Sequence, residues 1–105
     1  MSQHKEIQGV FFMTQATARH ILVESESSCN ELKDKIINGE DFSDLAREHS
    51  ICPSGSKGGD LGSFGPGQMV KEFDEVVFSA DLNEVQGPVK TQFGYHLLEV
   101  TSRTG

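Results

Sequence analysis

Helical patterning lies between strand-like segments, and that order restricts the fold more than any other feature of this sequence. Ala18-Arg19-His20-Ile21-Leu22-Val23 is a short apolar run that reads as a buried strand. Val89-Lys90-Thr91 and Tyr95-His96-Leu97-Leu98-Glu99-Val100-Thr101 read as two more, joined by a tight turn around Phe93-Gly94. In between, Cys29, Leu32 and Ile36 share one face of a helix that stops at Asn38-Gly39, and Ser28 with Glu31 has capping-box spacing at its start. Phe42, Leu45, Ala46 and His49 define a second, shorter helix. Leu61-Gly62-Ser63-Phe64 is a short strand, followed by a turn at Gly65-Pro66-Gly67. Met69, Phe73, Val76 and Val77 stripe a third helix to about Ser79, and residues 81–84 form a loop. The order β-α-α-β-α-β-β predicts an α+β domain, an antiparallel sheet with helices packed on it.

Composition bounds what such a sheet can do. The 105 residues are 35% hydrophobic, with seven Phe, one Tyr and no Trp, enough for one domain with a modest core. Sixteen acidic residues against nine basic ones give a net charge of -7. That surface repels phosphate backbones and anionic lipid, so neither nucleic acid nor membrane is an expected partner. No apolar run approaches the roughly 18 residues of a membrane span. Val10-Phe11-Phe12-Met13 is too short, with too little basic charge before it, to be a signal peptide. Residues 1–16 show no sustained period and are expected to be a flexible appendage to a domain over residues 17–105. Two cysteines, Cys29 and Cys52, make no disulfide framework and fit free thiols in the cytoplasm.

The densest chemistry lies in His49-Ser50-Ile51-Cys52-Pro53-Ser54-Gly55-Ser56-Lys57-Gly58-Gly59-Asp60-Leu61-Gly62. As a phosphate cradle it lacks the Gly-Lys-Ser/Thr ending and runs into a strand where a helix is needed. His49 and Cys52 have the spacing of a zinc pair, but no second pair is near and a structural site needs four ligands. Cys52 as a nucleophile has candidate bases in His20, His49 and His96, yet no evident oxyanion hole and no orienting third residue. Taken singly, Cys52 reads as a small half-buried side chain, and His20 and His96 as core histidines satisfied by hydrogen bonds.

The combination says more. Ala18-Arg19-His20-Ile21-Leu22-Val23, Gly39-Glu40-Asp41-Phe42, His49-Ser50-Ile51-Cys52-Pro53-Ser54, Gly58-Gly59-Asp60-Leu61-Gly62, Gly67-Gln68-Met69-Val70, Phe73, Val77-Phe78, Gly87-Pro88-Val89 and Thr91-Gln92-Phe93-Gly94-Tyr95-His96 occur in order. This series resembles the parvulin family of peptidyl-prolyl cis/trans isomerases, most closely the small single-domain bacterial parvulins, over residues 17–103. The resemblance implies a four-stranded antiparallel sheet wrapped by helices, with a substrate groove at one end. Position by position, it implies that Leu61, Met69 and Phe73 form the pocket for the proline ring and that Phe93 adds an apolar wall. Cys52 would sit beside the rotating peptide bond. His20 and His96 would lie on adjacent central strands with their rings hydrogen-bonded, the Thr91 hydroxyl as neighbour, and Phe64 and Ser54 would border the groove.

The activity implied is non-covalent rotation of Xaa-Pro bonds in proline-containing peptides and unfolded or partly folded proteins, in aid of protein folding. It implies a monomer that needs neither metal nor cofactor. One parvulin branch prefers phosphorylated Ser/Thr-Pro and carries a basic cluster after the first strand. Here that loop reads Val23-Glu24-Ser25-Glu26-Ser27-Ser28, with Arg19 and Lys57 as the only nearby cations, so no phosphate preference is expected. An uncharged, hydrophobic residue before proline is the expected choice. Two other classes fit the same groove: a peptide-binding, chaperone-like domain without catalysis, and a targeting or scaffold domain of a larger protein.

Overall fold

A computed structural model describes residues 14–104. Strands β1 (Ala16–Val23), β2 (Asp60–Phe64), β3 (Val85–Thr91) and β4 (Gly94–Arg103) form one sheet in the order β2-β1-β4-β3. Every neighbouring pair is antiparallel. Helices α1 (Glu26–Ile37), α2 (Phe42–His49) and α3 (Lys71–Val77) complete the predicted order β-α-α-β-α-β-β, with a 3-10 turn at Pro53–Lys57. The appendage expected over residues 1–16 falls outside the described residues up to residue 13, and Ala16, already buried, opens β1.

The central strands are apolar on both faces because both faces are covered. Ile21, Val23 and Leu97 pack with Cys29, Leu32, Phe42, Leu45 and Ala46 beneath α1 and α2. Ala16, Ala18, Leu98 and Val100 pack with Phe64, Phe73 and Val77 on the other face, beneath α3. Successive strand residues point to opposite faces, so one strand feeds both layers. Arg19 closes one side of the first layer, 2.7 Å from Glu99 and with its guanidinium 4.6 Å from the centre of the Phe42 ring.

Three boundaries differ from expectation. Helix α1 starts three residues before the Ser28–Glu31 spacing predicts. Ser25 is the N-cap, its Oγ accepting from the Ser28 N–H at 3.2 Å. Ser25, Ser27 and Ser28 are all competent caps; starting at Ser25 sets Glu26 against the positive end of the helix dipole and still buries Cys29 and Leu32. Helix α3 starts only at Lys71, leaving Met69 in the turn before it. The Gly65 N–H donates to Gln68 Oε1 and the Gly67 N–H to Asp74 Oδ1, both at 2.8 Å, and these bonds hold the turn.

Strand β3 starts at Val85 rather than Val89. The register shifts between Gln86 and Val89, so a bulge absorbs Gly87-Pro88 and pairing resumes. An edge strand tolerates proline there because its missing N–H breaks no ladder. Only glycine fits at Gly87, where φ is 127 and an added Cβ would collide with the His96 carbonyl oxygen.

Candidate active site

Strand register builds the site. His20 pairs with Leu98, and Leu22 with His96. His20 and His96 are therefore diagonal neighbours on adjacent strands and share the α3 face of the sheet. Both are buried, at 5% and 4% exposure. Phe73 of α3 meets both rings edge-on, at centroid distances of 5.3 and 4.9 Å.

One chain of hydrogen bonds runs through the pair. The two Nδ1 atoms are 3.1 Å apart. His96 Nε2 lies 2.7 Å from Thr91 Oγ1, which accepts from the Phe93 N–H at 3.1 Å. His20 Nε2 lies 2.9 Å from Ser54 Oγ, whose O–H donates to Cys52 Sγ at 3.4 Å. One placement of protons satisfies this chain from end to end: the Thr91 O–H donates to His96 Nε2, His96 Nδ1–H to His20 Nδ1, and His20 Nε2–H to Ser54 Oγ. The rings are then neutral and in opposite tautomers. Burial, then the neighbouring His96, lowers the His20 pKa to about 4, and burial lowers that of His96 too. A further proton on His20 would set two N–H groups face to face across the Nδ1 contact, and one on His96 would turn its Nε2 into a donor against the Thr91 O–H.

The loop carrying Cys52 is tied to β1 at both ends. The Ile51 N–H donates to the Leu22 carbonyl and the His20 N–H donates to the Gly59 carbonyl, each at 2.9 Å. Gly59 lies so close that a Cβ would overlap the His20 carbonyl oxygen, and its φ of 86 selects glycine as well. Ser50 Oγ, at 3.1 Å, accepts from the Leu22 N–H and adds a third tie. The glycine-rich stretch is thus an ordered turn rather than a loose connection.

Beside the network opens a cavity of about 450 Å³ with mostly apolar walls. It brings together His20, His96, Cys52, Leu61, Met69, Phe73 and Phe93 from the residues singled out in the sequence. Thr91 and Ser54 stand behind that wall, in the hydrogen-bond chain. Phe64 does not border the cavity. It pairs with Ala16, at the end of β1 away from His20, and its ring packs edge-on to Phe78 at 6.3 Å inside the second core cluster, 3% exposed.

Leu22, Ile51, Pro53 and Val70 also line the cavity and were not anticipated. Leu22 was readable, since residues two apart on a strand share a face with His20. His49 sits exposed on α2, with Nε2 3.6 Å from Glu48, and does not join Cys52 in a ligand set. Among the described residues no group of three or more His, Cys, Asp or Glu is placed to hold a metal ion. No described helix is long and apolar enough to cross a membrane.

The fold and groove define a class: a small α+β domain with an apolar side-chain pocket against a neutral histidine pair. Residues 5–104 match the PPIC-type PPIase domain. The foldase protein PrsA of Geobacillus kaustophilus is 54% identical over 87 residues, which cover 82% of this chain and 31% of that protein. The crystal structure of the peptidylprolyl isomerase PrsA from Bacillus anthracis superposes with a TM-score of 0.86 at 32% identity, covering 96% of this chain and 46% of that one. The solution structure of NmPin, the parvulin of Nitrosopumilus maritimus, gives a TM-score of 0.77 at 38% identity and covers 85% of this chain and 97% of that one. This chain belongs to the parvulin family and carries a PPIC-type peptidyl-prolyl cis/trans isomerase domain. It spans about a third of the length of the curated relatives it matches.

Proposed function

We propose that the groove speeds rotation of Xaa-Pro bonds by taking the proline ring among Leu61, Met69 and Phe73, with the preceding carbonyl beside Cys52. The observation that carries this reading is the pairing of an apolar cavity with a histidine wall whose protons are all bound within the protein. Rotation costs about 20 kcal/mol because amide resonance must be lost. The twisted amide has less charge separation than either planar form, so apolar walls favour it relative to water. An acceleration of about ten-thousandfold requires roughly 5.5 kcal/mol. A charged ring in the wall would favour the planar, more polar amide, so the lowered histidine pKa values serve the reaction. Cys52 acts as a weak dipole near the carbonyl. Its sulfur already accepts the Ser54 O–H, and no bond to sulfur forms.

The same proposal holds the substrates to be unphosphorylated. Glu24 and Glu26 occupy the loop after β1, and Arg19 is held by Glu99, Ser43 and the Phe42 ring on the face of β1 opposite His20. Assistance to folding proteins is read from the foldase relatives, and a cytoplasmic setting from the free thiols Cys29 and Cys52. Exchange NMR on Leu-Pro and phospho-Ser-Pro peptides, with the protein at substoichiometric amounts, tests all of this. Faster cis/trans exchange is expected for Leu-Pro, weaker for the phosphopeptide, and reduced in Met69→Ala and Phe73→Ala. Shifted peaks without faster exchange would identify a mere binder and overturn the reading.

A further inference from the structure

We infer that a second cavity, adjoining the proline groove across Ile51, is a substrate subsite for a basic side chain within two residues of the proline. This rests on the reading of the groove given above. The second cavity, about 460 Å³, lies where β1 meets α1, with Val23, Leu32 and Ile51 supplying its apolar part. Ile51, 54% exposed, lines both cavities. Leu22 and Val23 are successive β1 residues on opposite faces of the sheet, one lining each cavity. Ile51, bonded to the Leu22 carbonyl, is the ridge between them. Successive residues of an extended peptide lie ~3.5 Å apart, so a chain whose proline fills the groove crosses one side chain's width within a residue or two.

Charge selects the occupant. Glu24 and Glu31 line this cavity, as do Lys35 and His49. Among the described residues neither glutamate is ion-paired, nor is Lys35, one turn beyond Glu31; His49 is near Glu48. The lining therefore has two free carboxylates to one ammonium, in a protein of net charge -7. The N-terminus of α1 points the other way electrostatically, yet Ser25 Oγ already takes the Ser28 N–H and Glu26 fills the first turn. A Lys or Arg side chain matches both parts of the cavity, its stem on Val23, Leu32 and Ile51 and its head at the carboxylates.

The test is a set of peptides in which Lys, its neutral analogue norleucine, or Glu occupies each of the two positions on either side of proline. Isomerisation is followed without a coupled protease at low and moderate salt, for wild type, Glu24→Gln/Glu31→Gln and Lys35→Gln. At one position Lys should exceed norleucine by about two- to fivefold in kcat/KM, the size of an exposed ion pair, and Glu should fall below it. Salt should shrink that ratio. The double variant should abolish it with norleucine turnover unchanged, and Lys35→Gln should enlarge it. Equal rates for Lys and norleucine at every position, or a preference that survives in the double variant, overturns the inference alone. Failure to accelerate any peptide overturns the groove reading and takes this inference with it.

Discussion

The two faces of the sheet are built from alternate residues of the same strands, yet one is closed by two helices except at the cavity beside Ile51, and the other is open along the groove. On the closed face, Ile21, Val23, Cys29, Leu32, Phe42, Leu45, Ala46 and Leu97 cover one another beneath two helices. On the open face α3 has seven residues and shields only part of the sheet. Val77, Leu98 and Val100 are sealed there, while Phe73 lines the groove with Leu61, Met69 and Val70, the last three half-buried. The polar groups at its back, His20, His96 and Thr91, satisfy each other instead of reaching for water. Alternation along a strand thus lets one short sequence put the larger sealed core on one side and the apolar groove beside the histidine pair on the other.

The largest expected difference comes from truncating the closed face. Leu45→Ala removes a 4%-exposed side chain and should cost about 2–5 kcal/mol. That is on the order of 10 °C or more in Tm for a domain of this size. Turnover per folded molecule should stay near wild type. Calorimetry beside an isomerase assay reads both quantities, and a collapse of turnover in folded Leu45→Ala would mean the two faces are not separable.

Acid should act on the open face next most strongly. The folded His20 pKa, about 4, lies below the ordinary 6.5. Between those values the unfolded chain binds a proton that the folded chain refuses, so stability is full above pH 6.5 and declines as pH falls toward 4. The gap corresponds to about 3 kcal/mol, and His96, also lowered, acts in the same direction. Cys29 on the closed face, its thiol pushed up to about 11 by burial, stays neutral throughout. Urea midpoints at pH 4 and 7 should diverge in wild type and diverge less in His20→Asn, where His96 remains. Identical divergence in both proteins would place the acid sensitivity elsewhere.

Met69→Ala should reverse the pattern of Leu45→Ala. Met69 is half-buried in a turn, so Tm should move little, while kcat/KM should drop about tenfold, or ~1.4 kcal/mol. An unfolding penalty as large as that of Leu45→Ala would erase the distinction between the faces. Cys52→Ser should show the smallest effect, less than about tenfold in kcat/KM. The hydroxyl keeps the size, a dipole and an acceptor for Ser54. Inactive but folded Cys52→Ser protein would instead argue for a covalent sulfur adduct.

Element order was legible because α1 and α2 carry helical spacing and β1 and β4 stand out as apolar runs. Their ends were less so. The serines before Cys29 offered several equivalent caps, and β3 was expected only from Val89 because the bulge opposite Leu98 and His96 that absorbs Gly87-Pro88 has no local signal. In the site, strand alternation was enough to put Leu22 beside His20, and the resemblance placed both histidines and Cys52. The role of Ser54 was hidden. Its hydroxyl joins His20 to Cys52 only because Gly59 brings the turn onto the His20 backbone, a contact between residues 39 positions apart that no local pattern encodes. Phe64 was misplaced for a related reason: proximity to Leu61 in sequence says little about which end of a strand meets the groove.

The ties at Leu22 and His20 make the segment from Ile51 to Gly59 a ring in all but covalent bonds. A ring gives up its freedom before a guest arrives, so ordering Cys52 and Ser54 is not charged again when a peptide binds. It also has a fixed circumference. One residue added between Pro53 and Lys57 must lift Gly59 from His20 or carry Cys52 out of the groove, whereas the open turn after α1 at Gly39, where a Cβ would meet nothing, has slack to absorb the same insertion. On the proposed reading of the groove, loop length in that one segment should matter to turnover as much as the identity of any side chain on it.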